Sequence, residues 1–116
     1  MSEIYNNLLF GLNKVNGVKM TALGTRDGFL ISKYENDDSE IITHMAASMI
    51  QAAEKAANRL DRVSLNRVIV DFEGEKLIAA SAGPKVVISV MATQDASLDP
   101  IISELEKTVD RIRDII

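Results

Sequence analysis

The strongest feature of the hydrophobic pattern is an alanine-rich segment over residues 39–60, in which apolar residues recur at spacings of three and four. Alanine has the highest intrinsic helix propensity, so this segment is predicted to form a continuous helix. Its apolar positions form two adjacent faces, and the remaining polar stripe is narrow. One face consists of Ile42, Ala46, Met49, Ala53, Ala57 and Leu60, and the other consists of Ile41, Met45, Ser48, Ala52 and Ala56. A helix with so wide an apolar arc is expected to bury more than one side, and in a short chain the second side is expected to contact another chain.

The rest of the pattern predicts two more helices and five strands. The first helix begins at Ser2 and ends at Asn16-Gly17, and the last begins at the capping pair Asp99-Pro100. The strands are predicted over residues 18–23, 29–34, 67–72, 77–81 and 86–91. Within the first pair and within the last three strands, the connections are too short for a parallel crossover, so neighbours are expected to be antiparallel. The predicted order is α-β-β-α-β-β-β-α.

The last two predicted strands are apolar on both faces, since consecutive positions such as Val86 and Val87, or Val90 and Met91, are all apolar. An antiparallel sheet with one wet face alternates apolar and polar residues instead. The centre of the sheet is therefore expected to be covered on both sides, with two helices on one face and one on the other. The chain of 116 residues is expected to be a single domain of the α/β (α+β) class, spanning residues 1–116.

Composition narrows the possible partners and locations. A net charge of −4 argues against nucleic acid, whose binding depends on clustered Lys and Arg. The absence of cysteine excludes disulfides and thiolate zinc sites and is typical of an intracellular protein. The first residues lack the pattern of a signal peptide, and the longest uncharged helical stretch, residues 41–53, is shorter than the about 20 residues that a membrane span needs. We therefore expect a soluble, cytoplasmic protein that is not inserted in a membrane.

No pattern in the chain predicts catalytic, cofactor-binding or metal-binding residues. His44 is the single histidine, and it lies on the polar edge of the central helix without a carboxylate partner at a suitable spacing. Glu73 and Glu75 flank a turn glycine and lack a third metal ligand nearby. Residues 24–28 contain two glycines but not the Lys-Ser/Thr of a phosphate-binding loop, and a hairpin turn with Gly28 at positive φ accounts for them.

Arg59, Arg62 and Arg67 cluster around the exit of the central helix. An arginine donated to a partner's nucleotide is one interpretation of this cluster, and helix capping together with surface ion pairs is the other. Neither interpretation defines an active site in this chain. We therefore expect a non-enzymatic binding module.

Several segments together resemble the Roadblock/LC7 family. They are the hairpin segment of residues 17–32, the alanine-rich helix over residues 45–60, and the strand segments 68–72, 77–83 and 86–92. The resemblance implies a three-layer, profilin/longin-like fold, in which a five-stranded antiparallel sheet carries the central helix on one face and the terminal helices on the other. The chain departs from the family pattern at Leu98-Asp99-Pro100, where relatives often carry glycine. The resemblance identifies no arginine-finger position.

The resemblance also implies a function. The family includes dynein light chains, scaffold subunits for Rag GTPases and MglB, which acts on a Ras-like GTPase, so the chain is expected to form a homodimer that binds and regulates a Ras-like small GTPase. The central helices of two subunits would pack together, and residues 67–72 would pair with the same strand of the partner. The dimer interface is expected to contain Ile41, Met45, Ser48, Met49, Ala52, Ala56, Val68 and Val70. The GTPase is expected to contact the polar edge formed by His44, Gln51, Glu54 and Lys55.

Two alternative functions fit the same sequence. A passive dimeric scaffold would bridge other proteins without changing nucleotide turnover. A small-ligand sensor of the PAS or GAF type would need a pocket rimmed by polar or aromatic groups, and only 4% of the chain is aromatic.

Overall fold

The computed structural model describes residues 2–34, 38–61 and 64–115 of the chain. These residues form three helices and five strands in the predicted order. In chain order the elements are α1 (Ser2–Asn13), β1 (Val18–Thr25), β2 (Leu30–Tyr34), α2 (Ser39–Arg59), β3 (Val68–Phe72), β4 (Glu75–Ser81), β5 (Val86–Thr93) and α3 (Leu98–Ile115). The prediction of an α-β-β-α-β-β-β-α chain is confirmed.

The predicted boundaries differ at the end of α1 and at the start of β4, and β1 and β5 each extend two residues beyond their predicted ends. α1 ends at Asn13 rather than at Asn16, because Val15 donates its N–H to a carbonyl three residues earlier in a closing turn. β4 begins at Glu75, two residues before the predicted start. The reason is that Phe72 and Glu75 already pair across a two-residue turn, so the ladder reaches the end of the hairpin.

The five strands form one antiparallel sheet in the order β2-β1-β5-β4-β3. β5 lies in the middle, where Ser89 is opposite Ala22 of β1 on one side and Ala79 of β4 on the other. β2 and β3 form the two edges of the sheet. The β1–β2 hairpin and β3 therefore lie at opposite ends of the sheet.

Helices cover both faces of the sheet, as the apolar pattern predicted. α1 and α3 pack on one face, where Leu9 and Ile88 belong to the same core cluster. α2 packs on the other face, over Met20 and Leu77. Val87 and Ile88 are consecutive residues of β5, yet both are 0% exposed, because each lies under a different helical layer. The predicted arrangement of three layers is confirmed.

α2 lies close to the sheet because both surfaces carry small residues. Ala46 and Ala47 of the helix are buried. A Cβ atom at Gly24 of β1 would lie only 2.1 Å from Cγ2 of Thr43, so the approach of α2 at this point requires glycine. Part of the alanine run thus serves the contact with the sheet, and the rest of the run faces away from it.

Candidate protein–protein interface

One side of α2 turns away from the sheet and exposes an apolar surface. Ile41 is 66% exposed and Met45 is 51% exposed. Ser48, Ala52 and Ala56 continue the same side of the helix and are exposed as well. These residues are the second apolar face that the helical periodicity predicted. A contiguous apolar row on the surface of a small domain is typical of a protein-binding site.

A groove of about 500 Å³ runs beside this face, between α2 and strands β3 and β4. Met45 and the half-buried Met49 line its helix side, and Val70 and Phe72 line its β3 side. Apart from Glu75, the residues that line the groove are apolar. Methionine side chains are flexible and polarisable, so a groove of this kind can adapt its shape to a partner.

β3 borders the groove as an edge strand. It pairs with β4 on one side, and no strand of the described residues pairs with its other side. Val68 and Val70 are half-buried against α2, whereas Phe72 is 46% exposed and Ile69 is 43% exposed. Phe72 follows Val68 and Val70 at the two-residue period of a strand, so this period could have added it to the predicted interface. An edge strand with unpaired N–H and C=O groups can add a further strand.

The polar edge of α2 faces the β1–β2 hairpin. Gln51 donates a hydrogen bond from Nε2 to the backbone oxygen of Arg26 at 3.0 Å. The Arg26 guanidinium forms an ion pair with Glu54 and donates from Nη1 to Ser81 Oγ at 2.8 Å. Gln51 and Glu54, two of the four residues predicted to contact a partner, therefore also hold the hairpin against the helix. Sequence spacing gave no signal for this contact.

His44 and Lys55, the other two residues of that predicted surface, are exposed. His44 lies against the hairpin turn, because a Cβ atom at Gly28 would be 2.7 Å from its Nδ1. Gly28 has the predicted positive φ, at 96°. Lys55 forms no ion pair with a described residue. Three of the four predicted residues, His44, Gln51 and Glu54, thus contact the hairpin, and Lys55 lies on the same helix.

Of the charged residues weighed as candidate chemistry, Glu75 and Arg67 form ion pairs, whereas Glu73 and Arg59 form none with a described residue. Glu75 pairs with Lys19 of β1, and Arg67 Nη2 lies 3.0 Å from Glu106 Oε1 of α3. Arg62 lies outside the described residues. Within residues 2–34, 38–61 and 64–115, no group of three or more His, Asp or Glu residues could hold a metal ion, and no helix has the length and apolar character to cross a membrane.

The chain has a layered fold with an exposed apolar face on α2, and comparison with known proteins gives its family. The model of the Roadblock/LC7 domain matches residues 4–92, so the chain belongs to the Roadblock/LC7 family. The resemblance noted from the sequence is confirmed. An uncharacterized protein of Methanocaldococcus jannaschii is 24% identical over 110 residues, which cover 93% of this chain and 96% of that protein.

Solved structures share the fold. The Roadblock/LC7 domain of Streptomyces avermitilis matches with a TM-score of 0.88 at 21% identity, covering 95% of each chain. MglB of Myxococcus xanthus matches with a TM-score of 0.80 at 20% identity, covering 98% of this chain and 92% of MglB. These similarities confirm the predicted Roadblock fold.

Proposed function

We propose that the chain forms a homodimer that binds and regulates a Ras-like small GTPase and has no catalytic activity of its own. The observation that carries this proposal is the apolar face of α2, which leaves Ile41 and Met45 exposed beside the edge strand β3. Membership of the Roadblock/LC7 family and a fold similar to that of MglB support the same function.

In the proposed dimer, the exposed faces of two α2 helices pack against each other. Ser48, Ala52 and Ala56 follow one another at a spacing of four residues, and small side chains along such a row let two helix backbones approach closely. Ile41 and Met45 then become buried. Burial of each contributes roughly 1.5–3 kcal/mol when it is complete, so these two side chains provide a substantial part of the driving force.

The edge strand β3 pairs with the same strand of the second copy. Two identical strands related by a two-fold axis run antiparallel, which satisfies their outer N–H and C=O groups. Val70 and Phe72 then line a groove that is closed by the partner's helix rather than open to water. Pairing of β3 and packing of α2 use neighbouring surfaces, so both contacts form in one interface.

The oligomeric state tests the proposed dimer. Size-exclusion chromatography with light scattering at high micromolar concentration is expected to give twice the 12.7 kDa mass of one chain. Ala52→Glu places a carboxylate inside the helix contact and is expected to give a monomer with unchanged far-UV circular dichroism. Asn58→Glu adds a carboxylate on the polar side of the same helix and is expected to leave the dimer intact. A monomeric wild-type protein would contradict the proposal.

GTPase binding requires a separate experiment. Each Ras-like GTPase of the source organism is purified, loaded with GDP or with a non-hydrolysable GTP analogue, and titrated with the protein by isothermal titration calorimetry. Regulation predicts that one of them binds with an affinity that depends on the nucleotide and hydrolyses GTP at a changed rate. Binding with neither effect indicates the passive scaffold instead, and the absence of binding to any of these GTPases contradicts the proposal.

A further inference from the structure

Phe29 is the most exposed large apolar side chain among the described residues, with 70% of its surface exposed. It follows the turn of the β1–β2 hairpin, and the turn uses only its backbone. Thr25 N donates to the Phe29 carbonyl at 2.8 Å, and Phe29 N donates to Thr25 Oγ1 at 3.1 Å. Any residue other than proline could make these two bonds. The hairpin therefore does not explain why an aromatic ring occupies this position.

The hairpin that carries Phe29 is fixed by contacts with α2, with β4 and with the β4–β5 turn. Gln51 Nε2 donates to Arg26 O at 3.0 Å, Arg26 Nη1 donates to Ser81 Oγ at 2.8 Å, and Arg26 N donates to Lys85 O at 3.1 Å. A loop held at three points is preorganised. A partner that binds it loses little affinity to the ordering of the chain.

The position of the hairpin leaves Phe29 accessible in the proposed dimer. β2 and β3 form the two opposite edges of the sheet, and β3 is the edge proposed to pair with the second copy. Gly28, the residue before Phe29, lies against His44 of α2. Phe29 is therefore next to the polar edge of α2 proposed for the GTPase and remote from the edge proposed for the dimer.

The surface around the hairpin carries lysines that are not neutralised. Lys55 and Lys85 form no ion pair with any residue that the structure describes, whereas Arg26 and Glu54 neutralise each other. Asp27 of the turn is also exposed and forms no ion pair with a described residue, so these three unpaired groups leave a small positive excess at the hairpin of a chain whose net charge is −4. Carboxylates on a partner complement such a region and favour association.

We infer that Phe29 is the aromatic anchor through which the protein docks its GTPase, and that it enters an apolar pocket on the GTPase that is rimmed by Asp or Glu side chains. The inference rests on the proposed function, because it names the contact through which that GTPase binds. Rigid aromatic residues surrounded by polar groups frequently provide most of the binding energy of an interface. Lys55 and Lys85 lie on α2 and on the β4–β5 turn, the two elements whose residues hydrogen-bond to Arg26 of the hairpin that carries Phe29.

Isothermal titration calorimetry with the nucleotide-loaded GTPase identified above tests this anchor. Phe29→Ala is expected to raise Kd by about tenfold or more, with unchanged dimer mass and unchanged thermal unfolding. Phe10→Ala is the matched control, since Phe10 is 44% exposed on α1, on the other face of the sheet. It is expected to change Kd by less than about twofold. The double variant Lys55→Gln and Lys85→Gln is expected to weaken binding more at low salt than at high salt.

A second measurement does not depend on truncating the side chain. With p-benzoylphenylalanine in place of Phe29, irradiation is expected to cross-link the protein to the GTPase. If the wild-type protein binds a GTPase but Phe29→Ala binds it equally well and no cross-link forms, the anchor is wrong and the proposed function stands. If the wild-type protein binds no GTPase, both the Phe29 anchor and the proposed function are contradicted. If Phe29→Ala instead dissociates an assembly larger than the dimer, Phe29 contacts another copy of the chain and the inference is overturned.

Discussion

Arg26 of the β1–β2 hairpin forms an ion pair with Glu54 of α2, across a sequence separation of 28 residues. The same guanidinium donates to Ser81 Oγ at the end of β4. One side chain thus connects the hairpin, the helix and the sheet. Because its own side chain is only 24% exposed, this connection is partly shielded from water and fixes the hairpin relative to α2.

Loss of this connection is expected to destabilise the fold. Arg26→Ala removes an ion pair and a charged hydrogen bond at a partly buried point, so it is expected to lower the free energy of unfolding by about 1–2 kcal/mol. Lys55→Ala removes an exposed cation that has no ion pair and is expected to change it by less than about 0.5 kcal/mol. Urea denaturation followed by circular dichroism measures both variants. Equal midpoints for the two would show that the Arg26 contacts contribute no net stability.

Two glycines with the same positive φ allow the steric effect of an added Cβ to be measured separately from the conformational penalty. Gly17 and Gly74 both have a φ of 93°. A Cβ atom at Gly17 would lie 2.5 Å from Cβ of Ala96, whereas a Cβ at Gly74 has no neighbour within 4 Å. Each substitution to alanine is expected to cost roughly 1–2 kcal/mol for the left-handed conformation. Gly17→Ala is expected to lose about 1–3 kcal/mol more than Gly74→Ala, because the loops around it are overpacked.

Chemical denaturation of Gly17→Ala and Gly74→Ala measures this difference directly. Both variants carry the penalty of a positive φ of 93°, so most of it cancels in the comparison. Equal losses of stability would mean that the loop containing Ala96 moves aside without penalty.

The end of α2 is not optimal for stability. Asp61 adopts a positive φ of 57° just after the helix, where glycine is usual, and places a negative charge at the negative end of the helix dipole. Asp61→Gly is expected to raise the free energy of unfolding by about 1 kcal/mol. Asn58→Gly, a change to the same residue inside the helix, is expected to lower it by about 0.5–1 kcal/mol. Thermal unfolding that shifts in the same direction for both variants would argue against this assignment.

A buried hydroxyl under α2 provides a further test. Ser89 is 1% exposed, and its Oγ has no hydrogen-bond partner in the structure. Ser89→Ala is expected to leave the stability unchanged or to raise it by up to about 1 kcal/mol, because an unsatisfied polar group is removed. Ala80→Ser adds a buried hydroxyl opposite Ile88 on the other face of the sheet, away from Ser89, and is expected to lower it by about 1–3 kcal/mol. A marked loss of stability in Ser89→Ala, measured by urea denaturation, would show that its hydroxyl is hydrogen-bonded in solution.

Most of the fold could be predicted because its determinants are local. Consecutive apolar residues such as Val87 and Ile88 indicate a strand that is covered on both faces, and the structure buries both. The spacing of Ile41, Met45 and Ser48 separates the outward face of α2 from the face on the sheet. The end of α1 was harder to locate, since the closing turn at Val15 continues an apolar helical pattern beyond the last helical residue, Asn13.

The candidate site was less predictable because it depends on contacts between distant segments. The place of Glu54 and Gln51 on the helix predicts a partner surface, and their contacts with Arg26 arise only when the hairpin folds against α2. The exposure of the Phe29 ring is equally hard to predict from the sequence. Its sequence neighbours mark a turn, and only the packed hairpin shows that the ring remains outside the core.

The order of strands has a consequence for how far the sheet can grow. When the β3 edges of two copies pair in the proposed dimer, β2 becomes the outermost strand at both ends of the joined sheet. β2 carries the exposed Lys33, and the ladder beside it is irregular between Leu23 and Gly24. Lysines and bulges at an edge both oppose the addition of a further strand. In the proposed dimer, lateral association through the sheet is therefore expected to stop at two chains, which would keep the assembly a closed pair instead of a fibre.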